Sequence, residues 1–291
     1  MKRSEKKNLK ILPLRRISQI SIILLIIAVP LYSQNPYNGS PSLIVKGQLP
    51  PPAISKVSGD TWSFSIGNFS IIHPTAFFDF VFSAKSVSSS MLIAVLIPLL
   101  ITLLFGRVFC SWLCPIGFIL ELTTKINAFL KKKGLTREIR IKNFRFVILA
   151  TSLITAFLFG FPVISIFDPS HLLGREFSMI FTHQEVSVAG LIFLLAILVF
   201  EILFVSRAWC RYFCPSGACL SLIGVNRIYK IRTDQKECVS CNLCRSVCPY
   251  NLEPDKIVNY TTLQSAVCDN CGLCRDSCPK GAISYNLCFD K

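Results

Sequence analysis

Fourteen cysteines sit in this 291-residue chain, and most of them fall into two repeated patterns. The first runs Cys238-x2-Cys241-x2-Cys244-x3-Cys248-Pro249 and returns as Cys268-x2-Cys271-x2-Cys274-x3-Cys278-Pro279. Cysteines two residues apart let one tight loop present several thiolates to a cage of irons, and a fourth thiolate completes a cubane. A zinc site needs no more than two Cys-x2-Cys steps. A third and fourth cysteine with a trailing proline, written twice, goes beyond that, so one-electron chemistry is expected near the C-terminus. The second pattern is Cys110-x3-Cys114-Pro115-x-Gly117, matched one hundred residues later by Cys210-x3-Cys214-Pro215-x-Gly217. Each copy follows an arginine (Arg107, Arg207) and has a tryptophan nearby (Trp112, Trp209). The period reads as an internal duplication. Four cysteines related in this way could ligate a cluster or another soft metal, or cycle between dithiol and disulfide; both readings stand here.

The first pattern resembles the bacterial ferredoxins that carry two [4Fe–4S] clusters. In those proteins the fourth cysteine of each run ligates the other cluster. The resemblance implies Cys238, Cys241, Cys244 and Cys278 for one cluster, and Cys268, Cys271, Cys274 and Cys248 for the second. Between the runs, Leu252, Ile257, Val258 and Leu263 are spaced as in a short helix. Gly281-Ala282-Ile283 resembles the strand that closes a ferredoxin half. Residues 234–286 are thus expected to form a small α+β domain that depends on metal to fold.

These modules must be positioned by something largely apolar. The chain is 52% hydrophobic and 16% charged, with a mean hydropathy of +0.54; this suits a membrane protein with one small polar domain. Three or four apolar runs, 17–32 (extended by 11–14), 90–109, 144–167 and 186–205, are expected to be long enough to span a bilayer core of about 30 Å. Seven Lys/Arg and one acid precede Ile17, and the 125–145 connection holds eight Lys/Arg against Glu138. The 33–90 connection has three Lys, and 168–186 has Arg175 alone. The positive-inside rule then puts the N-terminus, the 125–145 connection and the C-terminal domain in the cytoplasm. The first run has a basic leader, but no A-x-A-like site follows Tyr32, so an uncleaved helix is expected. A nucleic-acid partner is not expected, because the net charge of +15 lies where membrane topology wants it rather than in one soluble patch. A reducing cytoplasm also accounts for the cysteines without disulfides.

The expected architecture is an α-helical polytopic membrane protein with about four transmembrane helices, built as a duplicated hairpin, followed by the α+β two-cluster domain. Its parts are a basic N-terminus and first helix (1–33), a periplasmic loop (34–89), a membrane domain carrying both Cys-x3-Cys-Pro motifs (90–220) and a cytoplasmic iron–sulfur domain (221–291).

Quinol oxidation would need an apolar slot and groups that accept two protons. Glu121 and Glu201 are the carboxylates near the spans, and intramembrane carboxylates are functional candidates; an ion pair of Glu201 with Arg207 is the structural alternative. His73, His171 and His183 fall in the expected outer connections, where His171 with Asp168, and His183 with Glu185, could take up protons. No histidine falls within an expected span, which excludes a bis-histidine haem between the helices. Cys219 and Cys288 lie outside both patterns and read as packing residues.

With these motifs in hand, nearly the whole chain resembles the NapH/MauN group, whose relatives of the NosR and CcoG type share the Cys-Pro motifs. The resemblance implies a bacterial inner-membrane protein that draws electrons from quinol in the quinone pool and relays them to a partner of a respiratory reductase system. The 33–90 segment, with Pro50-Pro51-Pro52 and Phe77-Phe78-Asp79-Phe80, is long for that group, so the terminal acceptor is left open. A CcoG- or NosR-like role in copper or iron reduction, cofactor assembly or redox sensing is the alternative.

Overall fold

The computed structural model describes residues 10–32, 57–59, 63–66, 69–134, 144–183, 188–204, 207–250, 252–254 and 265–287. Helix α1 (Ile11–Tyr32) begins the described chain. The Asp276 carboxylate accepts the N–H groups of Ile11 and Leu12, both at 2.9 Å. An acid at a helix N-terminus satisfies orphan donors and the helix dipole together, so the start of α1 is tied to the C-terminal module. Three short strands, β1 (Val57–Gly59), β2 (Ser63–Ile66) and β3 (Phe69–Ile72), form an antiparallel meander.

Two helical hairpins follow, and they are the duplication. In the first, α2 (Pro74–Ala84) leads through a left-handed Lys85 to α3 (Ser89–Phe105), a short α4 (Val108–Trp112) and α5 (Pro115–Lys132). In the second, α6 (Arg145–Phe159) and a single turn, α7 (Ile164–Phe167), precede α8 (Pro169–His183) and α9 (Val188–Leu203). A π-helical turn (Trp209–Phe213) then leads into α10 (Pro215–Ile223). The starts of α2 and α8 share one chemistry. His73-Pro74-Thr75 and Asp168-Pro169-Ser170 each place proline at the first helical position. The His73 ring accepts the Thr75 N–H at 3.3 Å, and Asp168 accepts the Ser170 N–H at 2.9 Å.

Here the structure corrects the sequence reading. His73 and Asp168 were expected in loops on the outer side, away from the cysteines. Instead α2 and α8 are return helices. One end of each lies beside the Cys-x3-Cys-Pro turns, and the other feeds the following long helix. His73 packs edge-on against Phe109 with ring centroids 5.5 Å apart, and the Asp168 carboxylate accepts from the Ser216 hydroxyl. The physical reason is a long-range cap: Asp79 in α2 accepts the N–H groups of Ile164 and Ser165 at 3.3 and 2.9 Å. That bond draws α2 inward against α6 and α10, over a core of Leu149, Ile164, Ala218 and Cys219. Cys219 thus does pack in the core; Cys288 lies outside the described residues.

The surface of this region is inverted relative to a soluble protein. Large apolar side chains point outward along α3, α6 and α9, with Ile93 72% and Leu158 68% exposed, while Arg15, Arg107, Arg145 and Glu201 are buried. Such a surface would seek lipid. By length and composition, Ile11–Ala28 alone among the described residues passes as a full membrane span; Ser89–Phe105, Arg145–Phe159 and Val188–Leu203 are apolar but shorter.

The C-terminal module is closed by β4 (Tyr229–Thr233) pairing antiparallel with β5 (Ile283–Leu287). Tyr229 and Tyr285 stack across the pair at 4.9 Å, and Ile231 and Ile283 face inward against Cys274. The strand expected after Gly281 is therefore present. The expected helix between the two cysteine runs falls largely on residues 255–264, outside the described residues.

Candidate iron–sulfur and thiol sites

Two matched loops shape the C-terminal module. In the first, Ser240 and Asn242 take positive φ (52° and 59°); in the second, Asn270 and Gly272 do (53° and 78°). Left-handed residues at the same two steps curl each Cys-x2-Cys-x2-Cys segment into a cup, where asparagine and glycine carry the smallest penalty. Single turns of helix, α11 (Leu243–Ser246) and α12 (Leu273–Asp276), follow each cup.

The cups enclose two small cavities of about 20 Å³ each. Cys238, Cys241, Cys244 and Cys278 line one; Cys248, Cys268, Cys271 and Cys274 line the other. The fold thus carries the last cysteine of each run across to the opposite cup. Among the described residues, no three His, Cys, Asp or Glu side chains converge as the ligands of a single ion would, and no described cysteine is held in a disulfide. Thiols spread around a hollow suit a cage, which meets its ligands at separate corners. Burial pushes the Cys248 thiol up to about 11 and the Cys271 thiol further. Without iron these groups hold their protons, so cluster assembly must release them.

The two cups differ in exposure. Val239 and Leu243 beside the first are 56% and 46% exposed, while residues 269–272 of the second are buried. What buries the second cup is the helical region. Ser111 donates to the Asp269 carbonyl at 2.7 Å, Arg107 to Val267 at 3.0 Å, Arg15 to Cys271 at 3.2 Å and Arg227 to Cys268 at 2.5 Å. Asn270 returns a bond to the Phe105 carbonyl at 2.8 Å. The inner cup is thereby locked onto the first Cys-x3-Cys-Pro turn.

All four cysteines of that second pattern, Cys110, Cys114, Cys210 and Cys214, face one further cavity of about 80 Å³. His73 and Asp168 also line it, brought by the return helices. The sequence names both residues but puts them in the outer connections, away from the cysteines. The signal available was the shared His/Asp-Pro-Thr/Ser step upstream of each motif. The motif glycines are explained by close approach: a Cβ on Gly117 would stand 2.6 Å from the Cys110 carbonyl oxygen, and one on Gly217 2.6 Å from Arg107 Nη2. Arg107 sits between the cavity and the inner cup. Its guanidinium lies 3.8 Å from Cys110 Sγ and 5.1 Å from the Tyr250 ring centre.

The other candidates have different places. Glu121 does not line the thiol cavity; it binds Arg15, Arg16 at 2.6 Å and Arg207 at 3.4 Å. Glu201 accepts the backbone N–H groups of Arg207 and Trp209 at 2.9 and 3.0 Å, where a bond to the Arg207 guanidinium was the expected alternative. That turn needs support, since Arg207 takes a positive φ of 54°. His171 is half-buried on α8, and His183 ends that helix.

Comparison with known proteins adds the family. A 4Fe-4S binding domain family matches residues 88–135 and again 186–232. These segments cover α3 to α5 and α9 to α10, each with its Cys-x3-Cys-Pro turn, not the C-terminal cysteine runs. The chain is 30% identical over 221 residues to the methylamine utilization ferredoxin-type protein MauN of Methylobacillus flagellatus, covering 74% of this chain and 73% of MauN. It is 32% identical over 158 residues to the ferredoxin-type protein NapH of Escherichia coli, covering 54% and 52%. It is 29% identical over 188 residues to the putative electron transport protein YccM of the same organism, covering 63% and 52%. The match thus spans about half the length of NapH and YccM. No solved structure matches. Cupped cysteine quartets, a repeated 4Fe-4S binding domain and these relatives together mark an iron–sulfur protein of electron transfer, and the chain belongs to the NapH/MauN family of ferredoxin-type proteins.

Proposed function

We infer that this protein is a multi-pass inner-membrane electron carrier that oxidises quinol and delivers electrons to a respiratory partner in the cytoplasm or beyond it. The observation that carries this reading is the asymmetry of the two cups: one is clamped against the helical region, and the other faces outward. Bound in the two quartets, [4Fe–4S] clusters supply one-electron transfer. Cys248, Cys268, Cys271 and Cys274 would hold the inner cluster; Cys238, Cys241, Cys244 and Cys278 would hold the outer one. Arg107, Ser111 and Arg227 fix the inner cup beside the thiol cavity, and exposed Val239 and Leu243 leave the outer cup open to a redox partner.

The outward Leu, Ile and Phe of α3, α6 and α9 support the multi-pass reading, although each helix runs only about 22–26 Å at 1.5 Å per residue. Capping of α1 by Asp276 supports placing the N-terminus and the C-terminal module on one side. The charge bias makes that side cytoplasmic. Quinol would enter from the lipid near the apolar lining of the thiol cavity, where Leu113, Ile116 and Leu220 lie.

The test is anaerobic full-length protein in lipid, mixed with a reduced menaquinone analogue. Loss of the visible iron–sulfur absorbance on mixing is the expected result. Unchanged absorbance with every quinol and quinone tried would remove quinol from the scheme and favour metal reduction, assembly or sensing.

A further inference from the structure

We propose that the cavity between the two Cys-x3-Cys-Pro turns holds a third [4Fe–4S] cluster, ligated by Cys110, Cys114, Cys210 and Cys214, with Arg107 and Arg145 as its buried counter-charge. The inference rests on the iron–sulfur reading above but not on quinol as donor.

Three independent observations carry it. The first is shape. The cavity, about 80 Å³, exceeds the 20 Å³ hollows at the two C-terminal quartets, and it receives two thiols from each repeat.

The second is charge. Arg145 is 1% exposed, and its Nε and Nη1 have no hydrogen-bond partner; Nε of Arg107 is likewise unpartnered. Neither arginine forms an ion pair with a carboxylate among the described residues. Arg107 reaches Cys110 Sγ at 3.8 Å, and Arg145 lies within electrostatic reach of Cys110 and Cys214. A buried guanidinium without an anion is strongly unfavourable. Asp168 lines the same cavity and Asp269 lies within electrostatic reach of Arg107, but no carboxylate among the described residues pairs with Arg145, and four neutral thiols add no negative charge. Four thiolates around an iron–sulfur core do, because the thiolates outweigh the core and the whole is an anion. The pairing also explains why arginine precedes the first motif by three residues, and why Gly217 has no side chain: a Cβ there would collide with Arg107.

The third is the match of the 4Fe-4S binding domain family to the segments carrying these turns rather than to the C-terminal runs. Ser111, inside the first motif, bonds the inner cup at Asp269. A cluster in the cavity would therefore adjoin the existing pair and extend the row toward the lipid.

The experiment uses full-length protein purified without oxygen. Iron and acid-labile sulfide are expected at about twelve of each per chain, against about eight for two cubanes alone. Cys110→Ser with Cys210→Ser should lose about four of each and leave the two remaining EPR signals unchanged. Should that variant fail to fold, Arg145→Gln supplies a second arm. Removing a positive charge disfavours the more anionic reduced state, so the midpoint potential of one signal should fall while the others stay. Wild-type protein with about eight iron, or with one extra metal ion and no extra sulfide, overturns the proposal. An Arg145→Gln protein with every potential unmoved overturns the counter-charge. Eight irons with quinol bleaching intact would sink the third cluster alone; twelve irons without bleaching would sink only the donor.

Discussion

Cys271→Ala is expected to abolish quinol-driven reduction of the iron–sulfur centre that remains in the outer cup, whereas Cys238→Ala should leave reduction of the inner centre near the wild-type rate. The asymmetry follows from docking. Cys271 sits in the buried cup that Arg15 holds through its carbonyl, while Cys238 sits in the exposed one. If electrons enter from the helical side, losing the inner quartet interrupts the route and losing the outer quartet only shortens it. Iron analysis checks that each variant has lost about four irons and kept the other cluster. Freeze-quench EPR after quinol addition then reads the surviving signal. Equal behaviour of the two variants would mean that the cups do not act in series.

Glu121→Gln is expected to destabilise the protein by about 3–5 kcal/mol, the usual cost of removing one partner from a buried ion pair. Glu121 is the common anion for Arg15, Arg16 and Arg207. Arg15 and Arg207 are themselves buried, and Arg207 reaches Asp269 of the inner cup only at 3.9 Å. Without the carboxylate, two buried guanidinium groups lose their main counter-charge, and both belong to the surface that holds the inner cup. Heating the variant in lipid, with loss of iron–sulfur absorbance as the readout, should show a midpoint lower by about 10 °C at a fixed scan rate. A variant of wild-type stability that no longer turned over quinol would instead make Glu121 a proton acceptor, the role its place in the sequence suggests.

The two cases show what the amino-acid sequence exposes and what it hides. Cysteine spacing is local, so the eight C-terminal cysteines and the four of the hairpins stand out from the order of residues alone. The hundred-residue period likewise announces two matched turns. What the sequence hides is how α2 and α8 turn back. Pro74–Ala84 is short and rich in phenylalanine, and it resembles an interfacial loop; its inward course depends on Asp79 capping α7 from 85 residues away. Asp168 is a parallel case: its charge suggests solvent, but Ser170 and Ser216 satisfy it inside the fold. Glu201 illustrates the reverse error. An arginine six residues on invites an ion pair, yet the positive φ of Arg207 turns its N–H, not its guanidinium, toward the carboxylate. Capping bonds and left-handed turns depend on where distant segments finish, and no periodicity records that.

Quinol is expected to reduce these centres. A potentiometric titration of the lipid-embedded protein, followed by EPR, tests it directly. The expected result is at least one iron–sulfur midpoint within about 120 mV of the menaquinone or ubiquinone couple, a hundredfold in a one-electron equilibrium at about 59 mV per decade. Midpoints that all lie far below both couples would contradict it: quinol could then not be the donor, and the outer cup would have to be where electrons enter.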